Sequence, residues 1–158
     1  MILATLIFIL ATAVLLFFLQ VASQRILRRQ FDREYFQSIA NVNRFEFPSL
    51  RESLEESAAP ANYFRLRMML KCDFLALTYL LRNAANVNQR YSHEERLLIL
   101  YFRWQSLSLA VRRLLRGGEN KAILRLTSVL QYFANVVGQR VDAAKYGSLT
   151  ASDYLLNF

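Results

Sequence analysis

Little in this chain turns or staples the backbone. Of its 158 residues only 4 are Gly, 2 are Pro and 1 is Cys. So few turn-formers leave little room for the many tight turns of a sandwich or barrel, and long helices with short connections are expected. The single thiol, Cys72, cannot form an internal disulfide, which fits a reducing compartment. It stands in the apolar run Met68, Met69, Leu70, Lys71 and is read as a small core residue rather than a reactive thiol.

Catalytic chemistry is equally sparse. His93 is the sole histidine, which excludes a multi-histidine metal site. A His-based dyad would need a nucleophile brought to it by the fold. Gly117 and Gly118 lack the later Gly and the Lys-Ser/Thr pair of a phosphate-cradling loop. Glu94 and Glu95 are read as helix-capping and dipole-stabilising groups rather than an acid pair. Arg112, Arg113 and Arg116 cluster where the end of a helix is expected, a place the dipole itself favours for cations. The chain is therefore expected to be no enzyme, with no cofactor, metal ion or small-molecule substrate, and nucleic acid is not expected as a partner.

Apolar and cationic residues are what the chain has in quantity. Hydrophobic residues make up 54%, above the usual share of about 45–50%. The net charge is +8, and only Lys71, Lys121 and Lys145 among the 20 cations are not Arg. Arginine suits bidentate contacts with carboxylate or phosphate, so anionic lipid or an acidic protein is the implied partner.

The two excesses are separated along the chain. No charged side chain occurs from Met1 to Gln24, and up to Leu19 only Thr5 and Thr12 are polar. Crossing a hydrocarbon core takes about 20 helical residues, and threonine hydroxyls can bond back to the preceding turn. Residues 1–24 are accordingly expected to be a transmembrane helix. Val21, Ala22 and Ser23 resemble a signal-cleavage site, but the apolar run exceeds a usual signal core and no basic segment precedes it. Arg25, Arg28, Arg29 and Arg33 follow at once. The positive-inside rule then puts the N-terminus outside and the remainder in the cytoplasm, in a single-pass protein of a membrane such as the bacterial inner membrane. These arginines are the expected lipid-headgroup contacts. Ala4, Thr5, Ala11 and Thr12 repeat every seven residues and form a small-residue stripe on which another membrane helix could pack.

Residues 25–47 read as a basic juxtamembrane helix, continuing to about Val42, and then a linker broken by Pro48. Residues 48–158 read as a cytoplasmic helical bundle. A short acidic helix over 49–57 carries Glu52, Glu55 and Glu56, and Pro60 suits the first turn of the next helix, over 61–86. That helix sets Phe64, Leu66, Leu70, Phe74, Leu77 and Leu81 against Arg67, Lys71, Thr78 and Arg82. Ser92 and Glu95 form a capping box that opens a helix over 92–116, apolar nearly all round and closed by Gly117 and Gly118. A last long helix over 119–145 steps through Ile123, Leu126, Leu130, Phe133, Val137 and Val141, leaving Arg125, Ser128, Asn135, Gln139 and Asp142 outside. One further turn, over 152–158, is expected to dock.

The fold expected is thus all-α: one transmembrane helix followed by a three- or four-helix bundle. The function expected is that of a non-catalytic, membrane-anchored accessory, scaffold or assembly subunit of a larger membrane protein complex, because surplus apolar surface marks an interface. Phe31, Tyr35, Phe36, Trp104, Tyr154 and Phe158 are its expected partner contacts. The alternative is a peripheral regulator or tether that uses its arginines on anionic lipid or an acidic client.

Overall fold

In the computed structural model the described residues form six helices: α1 (Ile2–Leu27), α2 (Phe36–Asn43), α3 (Phe47–Glu55), α4 (Tyr63–Asn83), α5 (His93–Leu114) and α6 (Glu119–Leu156). The structure describes residues 1–55, 62–83, 90–114 and 119–156, with the side chains of 114, 119 and 145–156 left aside. No strand occurs among the described residues. The molecule is all-α, a long apolar N-terminal helix followed by a bundle.

The hub of the bundle is α6. Helices α2, α3, α4 and α5 all pack on it, and α1 touches it while lying mainly on α5. The reason is legible in its residues: Ala122, Ile123, Leu126, Val129, Leu130 and Phe133 are all buried. Their three- and four-residue steps widen into a broad apolar face, as a helix touching neighbours on several sides requires. Thr127 lies in the same interior, its hydroxyl donating to the Leu124 carbonyl. From α4 come Leu66, Leu70, Phe74, Leu77 and Leu81, and from α5 Leu98, Tyr101, Phe102 and Leu109.

At 26 residues, α1 is about 39 Å long, and it is the one described helix long and apolar enough to cross a membrane. Its first part is exposed on every side, with Phe8, Phe17 and Phe18 bare. Thr5 and Thr12 donate their hydroxyls to the carbonyls of Met1 and Phe8, each at 2.8 Å. Leu19 and Ser23, by contrast, are buried, so the helix is covered over its last turns. Arg29 meets Glu94 at 3.3 Å and sets the end of α1 beside the start of α5.

The basic helix expected to run unbroken to Val42 is interrupted. Helix α1 stops at Leu27, and helical structure resumes only at Phe36. Asn135 on α6 explains where it resumes: its Oδ1 accepts the backbone N–H groups of Tyr35 (2.8 Å) and Phe36 (2.9 Å). Two orphan donors of a helix start are thereby satisfied from another helix. Asn135 had been placed on the outer face of α6 and is in fact buried.

The next break is likewise displaced. Arg44 closes α2 in the left-handed conformation, φ 54°, with the Phe45 N–H returning to the Ala40 carbonyl. Pro48 does not end a linker but sits in the first turn of α3, where its missing N–H leaves no gap. The start of α3 is capped by Asp73 of α4, whose Oδ2 accepts from Glu46 N (3.1 Å) and Phe47 N (3.0 Å). Burial raises the pKa of this carboxyl, against the opposing pull of those two N–H donors.

Helix α4 starts at Tyr63, with Asn62 Oδ1 accepting from Phe64 N (3.1 Å); Pro60 lies outside the described residues. The capping box of α5 is present as read: Ser92 N donates to Glu95 (3.0 Å) and Glu95 N to Ser92 Oγ (3.2 Å). Gly117 and Gly118 fall outside the described residues. The separate final turn is not found; α6 runs on continuously to Leu156. A close approach occurs at Gly138, where a Cβ would lie 2.1 Å from Cβ of Tyr35. Tyr35 is held there by its hydroxyl, which donates to Asp142 at 2.8 Å, and that bond raises its pKa.

Candidate interaction surface

Helices α4 and α5 pack mainly on α6, and a groove of about 330 Å³ lies between them. Its floor is apolar: Leu70 and Phe74 of α4, Phe102 and Leu109 of α5, and Leu126 of α6. The Phe74 and Phe102 rings bridge the two helices, stacked with centroids 4.0 Å apart. Arg67 and Lys71 rise on the α4 side and Arg103 on the α5 side, and among the described residues no acid lines the groove.

Both flanks continue as exposed apolar stripes. On α4 these are Phe64, Met68, Leu75 and Tyr79, and on α5 Leu100, Trp104, Leu107 and Val111. The spacing of four and seven residues keeps each set on one side of its helix. Leu75 and Leu107 belong to both stripe and groove. Two expectations are corrected here. Phe64 is 72% exposed rather than core, because it lies on the side of α4 turned from α6. Cys72 is exposed for the same reason.

A second, polar cleft of about 490 Å³ opens just past the end of α1, lined by Arg28, Arg29 and Arg51 together with Glu34, Gln131 and Ser128. Arg51 is tied to Glu55 at 3.0 Å and also to Gln131. Arg29 shares the Glu94 carboxylate with Tyr132, whose hydroxyl donates to it at 3.1 Å. Burial, then the Glu94 charge, pushes the Tyr132 pKa up to about 12. Arg25, Arg28, Arg29 and Arg33 are all exposed, and the cleft gathers only Arg28 and Arg29 of these four.

The remaining site residues read from the sequence are dispersed. Ala4, Thr5, Ala11 and Thr12 are exposed on the free part of α1. Phe31 packs edge-on against Tyr132, at 5.3 Å between centroids, and Phe36 is half-buried against the core. Together with Tyr35 these rings are engaged inside the chain. Trp104 is 38% exposed on the α5 stripe. The side chains of Tyr154 and Phe158 lie outside the described residues.

Sequence reasoning missed Asp73, Asn135 and Arg140. Arg140 bonds both the Glu95 carboxylate and the Leu81 carbonyl, tying α6 to α5 and α4. Only Asp73 had left a trace, standing three residues after Leu70 and four before Leu77, in line with the buried face. Among the described residues no group of His, Cys, Asp and Glu could hold a metal ion. Comparison of the chain with protein-family models, curated proteins and solved structures finds no match. The surface has to be read from its own chemistry.

Proposed function

We propose that this chain is a non-catalytic accessory or scaffold subunit of a larger membrane protein complex. In this reading α1 anchors it with the N-terminus outside, and the helical body presents the α4–α5 face to another subunit on the cytoplasmic side. The observation that carries the reading is that face. It carries eight exposed apolar side chains, of which Leu75 and Leu107 line the groove, although the bundle already has a closed interior on α6. A contiguous patch of that kind, rimmed by charge, is the signature of a protein-binding surface.

Gentle extraction, followed by measurement of particle mass and identification of co-purifying chains, tests it. The expected result is a discrete assembly that persists at high salt and disperses when Leu75 and Leu107 are both replaced by Ser. A lone monomer at every salt concentration overturns the proposal. Protease added to intact cells should leave the body of the chain intact; digestion from outside overturns the orientation.

The cleft at Arg28, Arg29 and Arg51 favours a second reading, a tether that holds anionic headgroups beside the anchor. Salt separates the two, since exposed Arg–phosphate attraction is screened over about 10 Å at 0.1 M ionic strength while apolar packing resists it.

A further inference from the structure

Building on the subunit reading, we propose that the α4–α5 groove receives an amphipathic helix of a partner protein, its apolar face on Leu75 and Leu107 and its carboxylates on Arg67, Lys71 and Arg103. The shape of the slot comes first. Helices α4 and α5 lie side by side on α6 and meet through the buried Phe74–Phe102 stack; above it the groove opens between Arg67, Lys71 and Leu75 on one side and Arg103 and Leu107 on the other. A further helix laid over it would set its anchors, at three- and four-residue steps, against the exposed Leu75 and Leu107.

Charge decides what kind of helix. Among the described residues three cations and no acid line the groove, in a chain of net charge +8. Carboxylates flanking the apolar stripe of the incoming helix would pair with that rim, and lysines there would be repelled. A second copy of this chain fits poorly. Twofold pairing of two grooves brings the same three cations face to face, because a symmetric contact opposes like surface with like. A bilayer surface is the other cationic–apolar match, but a sheet of lipid covers a ridge better than it fills a slot between helices.

Trp104, the only tryptophan, does not line the groove, so the reporter is moved to its rim by Leu107→Trp in a Trp104→Phe background. The full chain is reconstituted in nanodiscs of zwitterionic lipid. It is titrated with a synthetic, tryptophan-free amphipathic peptide bearing leucine on one face and glutamate beside it, and with the lysine counterpart. The glutamate peptide is expected to blue-shift the emission of this rim tryptophan saturably and to bind at least about tenfold more tightly than the lysine peptide. Arg67→Glu with Arg103→Glu, both exposed positions, should reverse that order while helicity is unchanged.

Equal binding of the two peptides, or no saturable shift with either, overturns the proposal. So does the same shift produced by anionic nanodiscs without peptide, which reassigns the groove to lipid, or by raising protein concentration alone, which reassigns it to a second copy. The two readings fail separately. If the charge-reversed chain keeps its co-purifying subunits, the groove proposal falls and the subunit reading stands. A wild-type chain that extracts as a monomer sinks the subunit reading whatever the peptides do.

Discussion

The inward and outward sides of α4 and α5 are made of the same residue types and differ in what covers them. On the inward side Leu77, Leu81, Leu98 and Leu109 are sealed, and the carboxylates that enter are matched, Asp73 to two backbone donors and Glu95 to Arg140, while the neutral Tyr101 hydroxyl and Gln105 Oε1 are buried without a hydrogen-bond partner among the described residues. On the outward side Leu75, Leu100 and Leu107 are more than half exposed, and the nearby cations line an open groove. Hydrophobicity along a helix therefore does not tell core from docking surface. The partnering of charged groups does, because an unmatched charge is costly only where water is excluded.

If that contrast holds, substitutions inside should cost stability and leave binding unaltered until the fold fails, while substitutions outside should do the reverse. The largest effect is expected at Arg140. Replacing it by Ala strands the carboxylate of Glu95, whose side chain is only 4% exposed, and should cost about 3–5 kcal/mol in denaturant unfolding of the full chain in mild detergent. Gly138→Ala comes next. Alanine normally strengthens a helix, but here the methyl falls 2.1 Å from Cβ of Tyr35. A loss of about 1–3 kcal/mol is expected, largely restored by adding Tyr35→Gly; strictly additive losses would disprove the contact.

Asp73 tests how the interior holds a charge. Asp73→Ala leaves the Glu46 and Phe47 amides without their acceptor and should cost about 1–3 kcal/mol, whereas Asp73→Asn keeps an oxygen in place. The two part company with pH. Burial raises the folded-state pKa above its ordinary 3.8, so folding favours the protonated acid. That contribution is complete below 3.8 and is lost as pH rises through the raised value. The Asn variant should therefore gain on wild type as pH climbs from acid toward neutral; a constant difference would contradict the burial of charge. The smallest effect on stability belongs to the outside. Leu100→Ser, at a position 58% exposed, should shift unfolding by no more than about 0.5 kcal/mol while weakening whatever assembly the wild type forms.

The long elements could be read from composition and periodicity: α1 from its uncharged run, α5 from the Ser92–Glu95 box and α6 from its regular apolar steps. Each is local, the period of one helix or the chemistry of its own first turn. The segment from Arg28 to Phe47 could not be read in that way. Its helices start where Asn135 and Asp73 place an oxygen, and those residues lie 99 and 26 positions away along the chain. No local pattern announces such a cap.

The candidate surface divides along the same line. Its residues were visible as an apolar surplus on α5 and a charged edge on α4, and Trp104 was named among them. Phe64 and Cys72 were assigned to the core because a helical wheel shows a stripe but not the neighbour that covers it. Sequence alone determined that the chain is helical, that its first helix is long and apolar enough to cross a membrane, and that cations dominate the rest, since these follow from residue type and spacing. Tertiary structure alone decided that α6 is the hub, that remote side chains start α2 and α3, and that cations of α4 and α5 gather along one groove. Those are properties of which faces meet, and packing, unlike periodicity, exists only once the chain has folded.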